Sequence, residues 1–127
     1  MNVALDTNGY SDFMRGVVER VAIVRAAQAI FLPFIVLGEL RAGFAAGDRQ
    51  SVNAANLQRF LASPRVSVLL ADEQTTHYYA QLHRELRGQG SPIPTNDLWI
   101  AALVVQHDLV LCTSDRHFRQ IPQLVTC

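Results

Sequence analysis

No lysine occurs among the 127 residues, so every mechanism built on a lysine amine falls away. Schiff-base catalysis, Walker-type phosphate binding, and the phosphohydrolases and receiver domains that set a lysine beside an aspartate are excluded. Cysteine is scarce as well. Cys112 and Cys127 are too few for a disulfide framework in a chain this long, and nothing near either resembles a metal-binding or redox pair, so both read as reduced thiols in a cytosol. No apolar run approaches the about 20 residues that a membrane helix needs; the longest cover residues 30–37 and 98–105. The chain reaches Asp6 after a short apolar stretch with no basic leader, which argues against a secretory signal and for a cytoplasmic protein. Nor is there an excess of either charge: eleven arginines balance eleven Asp and Glu. A coat of many phosphate contacts is thereby excluded, and any nucleic acid must be gripped locally.

Half of the residues are hydrophobic and 17% are charged, a balance that forms a core rather than a disordered chain. At this length one core buries roughly two thirds of the unfolded chain's surface, so residues 1–127 are read as a single domain. Residues 2–5 form an apolar run stopped by Asp6-Thr7-Asn8-Gly9, a strand followed by turn formers able to open a helix. Val17, Val18, Val21, Ile23 and Val24 lead into an alanine-rich helical stretch, and residues 29–32 before Pro33 predict a second strand. From Phe34, apolar residues recur at helical spacing up to Gly47, and residues 51–61 give a further helix. Residues 66–70 predict a strand, after which Asp72 caps a helix to about Arg87. The Gly- and Pro-rich stretch 88–94 has no phosphate-loop lysine and is read as a connection. Thr95 or Asn96 then caps a helix to about Gln106, residues 109–112 make a buried strand, and a one-turn helix precedes an edge strand at 124–126. Strands alternating with helices predict a parallel sheet covered on both faces.

Ligands of an open parallel sheet bind beyond the C-terminal ends of its strands. Asp6 follows the first strand, Asp115 follows the strand at 109–112, and Asp97 lies in the first turn of the helix starting near Thr95. Glu39 sits in a helix whose neighbouring positions Val36, Leu37 and Phe44 are apolar, where a carboxylate is costly unless compensated. Four gathered carboxylates repel one another unless some are protonated or a cation joins them. Oxygen ligands favour a hard divalent ion, Mg²⁺ or Mn²⁺, over zinc. Such a site suits phosphodiester hydrolysis by metal-activated water and needs no side-chain nucleophile.

Each of these residues also has a plainer reading. An aspartate at a strand end or in a first helical turn can serve as a cap alone, and Arg41 or Arg25 is a candidate ion-pair partner for Glu39. No histidine has metal-ligand spacing: His77 and His83 point to different helix faces, His107 suits a helix C-terminus, and His117 reads as helix-terminal or as an RNA contact. Trp99, Phe60, Tyr78 and Tyr79 read as core or dimer surface rather than as base-stacking platforms. No spacing of Ser, His and Asp matches a hydrolase triad.

Four ordered segments carry a family resemblance: Leu5-Asp6-Thr7-Asn8; Pro33-Phe34-Ile35-Val36-Leu37-Gly38-Glu39-Leu40-Arg41-Ala42-Gly43; Asn96-Asp97-Leu98-Trp99-Ile100-Ala101-Ala102; and Thr113-Ser114-Asp115-Arg116-His117-Phe118. With these intervals the chain resembles, over essentially its whole length, the PIN-domain ribonucleases, specifically the VapC-like toxins of type II toxin-antitoxin (VapBC) pairs. The resemblance implies a PIN-like three-layer α/β/α sandwich with a short, central, mainly parallel sheet. It further implies a Mg²⁺-dependent endoribonuclease, with Mn²⁺ as a substitute ion and Asp6, Glu39, Asp97 and Asp115 as the acidic quartet. Asp6 and Asp97 lead as metal ligands, and Asp115 sits in the most variable motif. Asn8 and Thr113 match polar positions that orient waters or the acidic side chains.

The same resemblance implies a homodimer, a structured or looped RNA substrate, and silencing by a cognate antitoxin whose C-terminal segment lies across the active-site groove. Arg15, Arg41, Arg87 and Arg116, in or next to the segments at the strand ends, are candidates for bidentate grip on RNA phosphates, against an ordinary surface role. A dimer would pair two such patches. Two other readings stand beside this one. A catalytically inactive PIN-like scaffold would bind RNA or protein and tolerate substitution of Asp6, Glu39 or Asp97. An aspartate-nucleophile phosphatase would form a phosphoaspartate at Asp6, and the missing lysine disfavours it.

Overall fold

The computed structural model describes residues 1–127. Five strands, Asn2–Leu5 (β1), Ala29–Pro33 (β2), Val66–Leu69 (β3), Val110–Cys112 (β4) and Val125–Thr126 (β5), form one sheet in the order β3-β2-β1-β4-β5. Every neighbouring pair is parallel, with Val3 opposite both Ile30 and Val110. Central strands covered on both faces need continuous apolar sequence, and Val3, Ala4, Leu5 and Leu111 are all fully buried.

Six helices connect and cover the sheet: Thr7–Met14 (α1), Val18–Ala26 (α2), Phe34–Ala46 (α3), Gln50–Leu61 (α4), Glu73–Gln89 (α5) and Thr95–Gln106 (α6); a 3₁₀ turn spans Arg116–Gln120. From β1 the chain steps outward to β2 and β3, then returns across the sheet to β4 on the other side of β1. Right-handed crossovers therefore put α5 and α6 on the face opposite α1 to α4. The result is the three-layer α/β/α arrangement anticipated above. The order reverses between β1 and β4, and such a switch point opens a crevice at the carboxyl ends of the strands.

Local sequence explains the helix that matters most here. Leu98, Ile100, Ala101, Ala102, Leu103 and Val104 of α6 are all buried, because a helix that is apolar nearly all round must lie inside the protein. Its polar residues are confined to its two ends, Gln106 closing it and the first turn delivering Asn96 and Asp97 to the strand ends. α5 packs along it, with Tyr79 stacked on Trp99 at 3.9 Å between ring centroids. Phe60 packs on Tyr10 and Phe13. No helix is long and apolar enough to cross a membrane.

Three local expectations need correction. Neither Thr95 nor Asn96 caps α6: Pro94 holds the cap position without a side-chain bond. Its fixed φ lets the helix begin directly behind it. α5 runs past Gly88 to Gln89 and closes at Gly90, whose left-handed φ of 68° suits a residue with no Cβ. The two cysteines, unrelated by local motif, are brought together by the β4–β5 pairing, with their sulfurs 2.6 Å apart.

Candidate active site

Asp6 directly follows β1 and starts α1. Its Oδ1 accepts the Gly9 amide at 2.6 Å, an N-cap bond, and its Oδ2 accepts the Thr113 hydroxyl from the end of β4. The residue is 4% exposed. Burial pushes its carboxyl up to about 6 against two hydrogen bonds that pull the other way, and the nearby Asp115 charge raises it further. Gly9 is part of this arrangement: a Cβ there would run into the carbonyl oxygen of Cys112. The α1 N-terminus can therefore approach β4 only through a glycine.

Asp115 follows β4 and caps the 3₁₀ turn by accepting the His117 amide at 2.9 Å. Its own amide donates to the Thr113 hydroxyl oxygen at 2.9 Å. Thr113 thus links Asp6 to Asp115. Asp97, in the first turn of α6, lies across from them. The His117 Nδ1 stands 3.1 Å from Asp97 Oδ2 and 3.2 Å from Asp115 Oδ1. Burial raises the Asp97 carboxyl above the ordinary carboxylate range; the His117 contact opposes this, and the Asp115 and Glu39 charges add to it.

Glu39, half-buried on α3, has no arginine partner, so the ion pair considered above does not form. Its Oε1 accepts the Thr7 hydroxyl at 2.6 Å and its Oε2 accepts the Asn96 side-chain amide at 3.3 Å. Both donors are neutral, so its charge is held in place without being neutralised. All four carboxylates converge at the switch point, at the ends of β1 and β4, on the second turn of α3 and on the first turn of α6.

The supporting residues differ in part from the expectation. Thr113 bonds to Asp6, whereas Asn8 is exposed and bonds to none of the four carboxylates. Its neighbour Thr7 and the helix residue Asn96 take the orienting work instead, because the inward direction of the first α1 turn falls on Thr7. His117 has a larger place than its sequence position implied, since the short turn folds its ring back between two aspartates.

Two of the four candidate arginines line different grooves. Arg15 pairs with Asp12 on its own helix and lines a groove of about 400 Å³ with Tyr10, Phe44, Arg49 and Asn53. Arg87 lines a separate groove with Tyr79, His83, Ile93 and Thr95, and Arg41 and Arg116 are exposed. The buried arginine is Arg20, 8% exposed, whose charge lowers the Asp6 carboxyl. Its place on α2 behind the strand ends was not legible from local pattern.

The donor set fits a hard divalent cation. Ligand atoms of Asp97, Asp115 and His117 lie within 4.8 Å of one another; burial first, and the neighbouring carboxylate charges second, raise the Asp6 and Asp97 carboxyls, and a bound cation would favour their ionised forms.

Comparison with known proteins agrees with this architecture. The PIN domain family profile matches residues 3–124. Ribonuclease VapC1 of Haemophilus influenzae is 32% identical over 127 residues, covering 94% of this chain and 92% of the relative. Ribonuclease VapC4 of Mycobacterium tuberculosis is 31% identical over 90 residues, 71% of this chain and 69% of the relative. Among solved structures, VapBC2 from Rickettsia felis, bound to a DNA fragment from its promoter, superposes with a TM-score of 0.86 at 27% identity, covering 100% of this chain and 98% of that one.

Proposed function

Because the chain belongs to the PIN-domain family, among the VapC-like proteins, we propose that it is a metal-dependent endoribonuclease and the toxin of a toxin-antitoxin pair. The observation that carries this reading is the meeting of Asp6, Glu39, Asp97 and Asp115 at the switch point, with Thr7, Asn96, Thr113 and the Gly9 amide holding them. Four carboxylates gathered in this way, Asp6 buried and the other three half-buried, are expensive to keep without a cation.

Asp6, Asp97 and Asp115 would hold Mg²⁺, or Mn²⁺ in its place, with Glu39 and His117 at the rim. When bound, the ion supplies a hydroxide from water and charge neutralisation at a phosphodiester. The chain's own contribution is placement. The Gly9 amide and Thr113 hydroxyl fix both oxygens of Asp6, and the Thr7 and Asn96 bonds keep Glu39 turned toward the same edge. With both oxygens engaged, Asp6 is poorly disposed to attack phosphorus, which weighs against the phosphoaspartate reading. Exposed Arg41 and Arg116 are candidates for phosphate contacts beside the site, more so than Arg15, which Asp12 already engages.

The solved relatives are VapBC complexes, and that supports an antitoxin partner for this chain. A homodimer and a cytoplasmic site of action belong to the same reading. The test is a map of new 5′ RNA ends after brief expression of the wild type or of Asp97→Asn, paired with growth measurement. Discrete new ends and growth arrest with the wild type alone are expected. Unchanged RNA with both proteins folded and abundant would turn the assignment to a non-cutting scaffold.

A further inference from the structure

Outside the carboxylate site, the most unusual arrangement is at the β4–β5 edge. Leu111 stands opposite Thr126 in the parallel ladder. One rung further on, the Cys127 amide donates to the Leu111 carbonyl at 2.9 Å and the Thr113 amide donates to the Cys127 carbonyl at 3.3 Å. The ladder thus brackets Cys112 and Cys127 as neighbours on adjacent strands. Strands about 4.8 Å apart fall inside the roughly 4.4–6.8 Å between Cα atoms that a disulfide accepts. The sulfurs are 2.6 Å apart, with no atom between them, and both cysteines are free.

We propose that Cys112 and Cys127 are a thiol modification site that closes to an intramolecular disulfide by exchange with a low-molecular-weight disulfide such as oxidised glutathione. Cys127 is exposed and Cys112 is fully buried, so the order of events follows from access. The Cys127 sulfur gives its proton to solvent and attacks one sulfur of the reagent, breaking the reagent's S–S bond and releasing one glutathione thiolate, which takes up a proton. The Cys112 sulfur then loses its proton, attacks the Cys127 sulfur and expels the second glutathione. Two protein thiols lose two hydrogens and the reagent gains them as two thiols.

The surroundings favour Cys127 as the attacking group. The hydrogen bond from Cys112 and the Arg20 charge lower its thiol to about 7 against the effect of burial, while the same pairing and burial push Cys112 up. Arg20 is itself anchored there, donating to the Cys127 carbonyl at 3.2 Å, and its Nε has no hydrogen-bond partner. The bond would close a loop over residues 112–127, the segment that carries Thr113, Asp115 and His117.

The test uses the whole protein, equilibrated in mixtures of oxidised and reduced glutathione, quenched with acid, alkylated and weighed. Both thiols are expected to vanish together in monomeric protein that retains no glutathione, with a proteolytic fragment joining Cys112 to Cys127. The oxidised protein should melt several degrees higher than the reduced one, by the loop-closure argument. Cys112→Ser should instead keep one glutathione on Cys127. Two alkylatable thiols persisting in oxidising mixtures, a stable glutathione adduct on wild-type Cys127, or a crosslink between two copies would each overturn the proposal. The wild-type readouts stand even if the buried substitution impairs folding.

Discussion

The Thr113 hydroxyl donates to Asp6 Oδ2 while its oxygen accepts the Asp115 amide, so one side chain at the end of β4 orients the Asp6 carboxylate and ties it to the Asp115 backbone. Its bond lowers the Asp6 carboxyl, keeping more of it ionised near neutral pH. Thr113→Val should therefore push Asp6 above about 6 and weaken Mg²⁺ binding by about 10- to 100-fold, the range for loss of a group that orients a metal ligand. Calorimetric titration at pH 7 should show the loss, and raising the pH should recover part of it as Asp6 ionises. Thr113→Ser, which keeps the hydroxyl, should bind normally. An unchanged affinity in the valine variant would remove Thr113 from the site.

The raised Asp6 carboxyl has a consequence for stability. Its folded value is about 6 against an ordinary 3.8, so between these values the native state binds the proton more tightly than the unfolded chain. Stability of the metal-free protein then falls as pH rises through that window and levels off above it. The difference corresponds to about 3 kcal/mol, and the raised Asp97 carboxyl acts in the same direction. Asp6→Asn should flatten this slope, and Mg²⁺ should stabilise the wild type above pH 6 while leaving the asparagine variant little changed. Melting curves across pH, with and without the ion, check both statements. A wild type that gains stability relative to Asp6→Asn across the window would contradict the sign.

Much of this arrangement is legible before folding, for specific reasons. Asp6, Asp97 and Asp115 stand where an apolar run stops or a helix begins, and Glu39 interrupts an apolar helix, so local pattern alone makes them conspicuous. The alternation of strands and helices likewise implies the parallel sheet. What local pattern does not reveal is anything created by the β1–β4 and β4–β5 pairings. Thr113 reaches Asp6 and Arg20 reaches Cys127 across 107 positions each, and no spacing rule operates at that range. His117 meets Asp97 only because a short 3₁₀ turn points back toward the first turn of α6. Thr7 rather than Asn8 orients an acid because one turn of α1 chooses between them, a choice beyond the resolution of sequence periodicity.

Glu39 offers a separation of charge from structure. Its carboxylate accepts from Thr7 and Asn96, and a glutamine can accept the Thr7 bond with its carbonyl oxygen. Glu39→Gln should fold with stability within about 1 kcal/mol of the wild type, since the Thr7 bond is kept and only the long, solvent-exposed bond from Asn96 is lost or reversed. RNA cleavage should fall by at least about 100-fold, as removal of a charge that serves the metal site affects the transition state directly. Melting and single-turnover cleavage of the same preparation decide the matter. Full cleavage would assign Glu39 a packing role only.

Gly9 tests the close approach of α1 to the sheet, and Gly38 serves as its unconstrained counterpart. At Gly9 an added Cβ runs into the Cys112 carbonyl oxygen, and its next neighbour is Asp6 Oδ1 at 3.0 Å. Both are anchored, the carbonyl by the strand backbone and the carboxylate by its two bonds, so neither yields cheaply. Gly9→Ala should cost about 1–3 kcal/mol, the range for overpacking, and should displace the amide that caps Asp6, weakening Mg²⁺ binding with it. At Gly38, on α3, an added Cβ meets nothing within 4 Å, and the helical backbone suits alanine. Gly38→Ala should therefore stabilise by roughly 0.5–1 kcal/mol through helix propensity. Denaturant melts of the two variants should shift in opposite directions. A neutral Gly9→Ala would mean that α1 can move away from β4, and Asp6 would then lose its fixed position in the site.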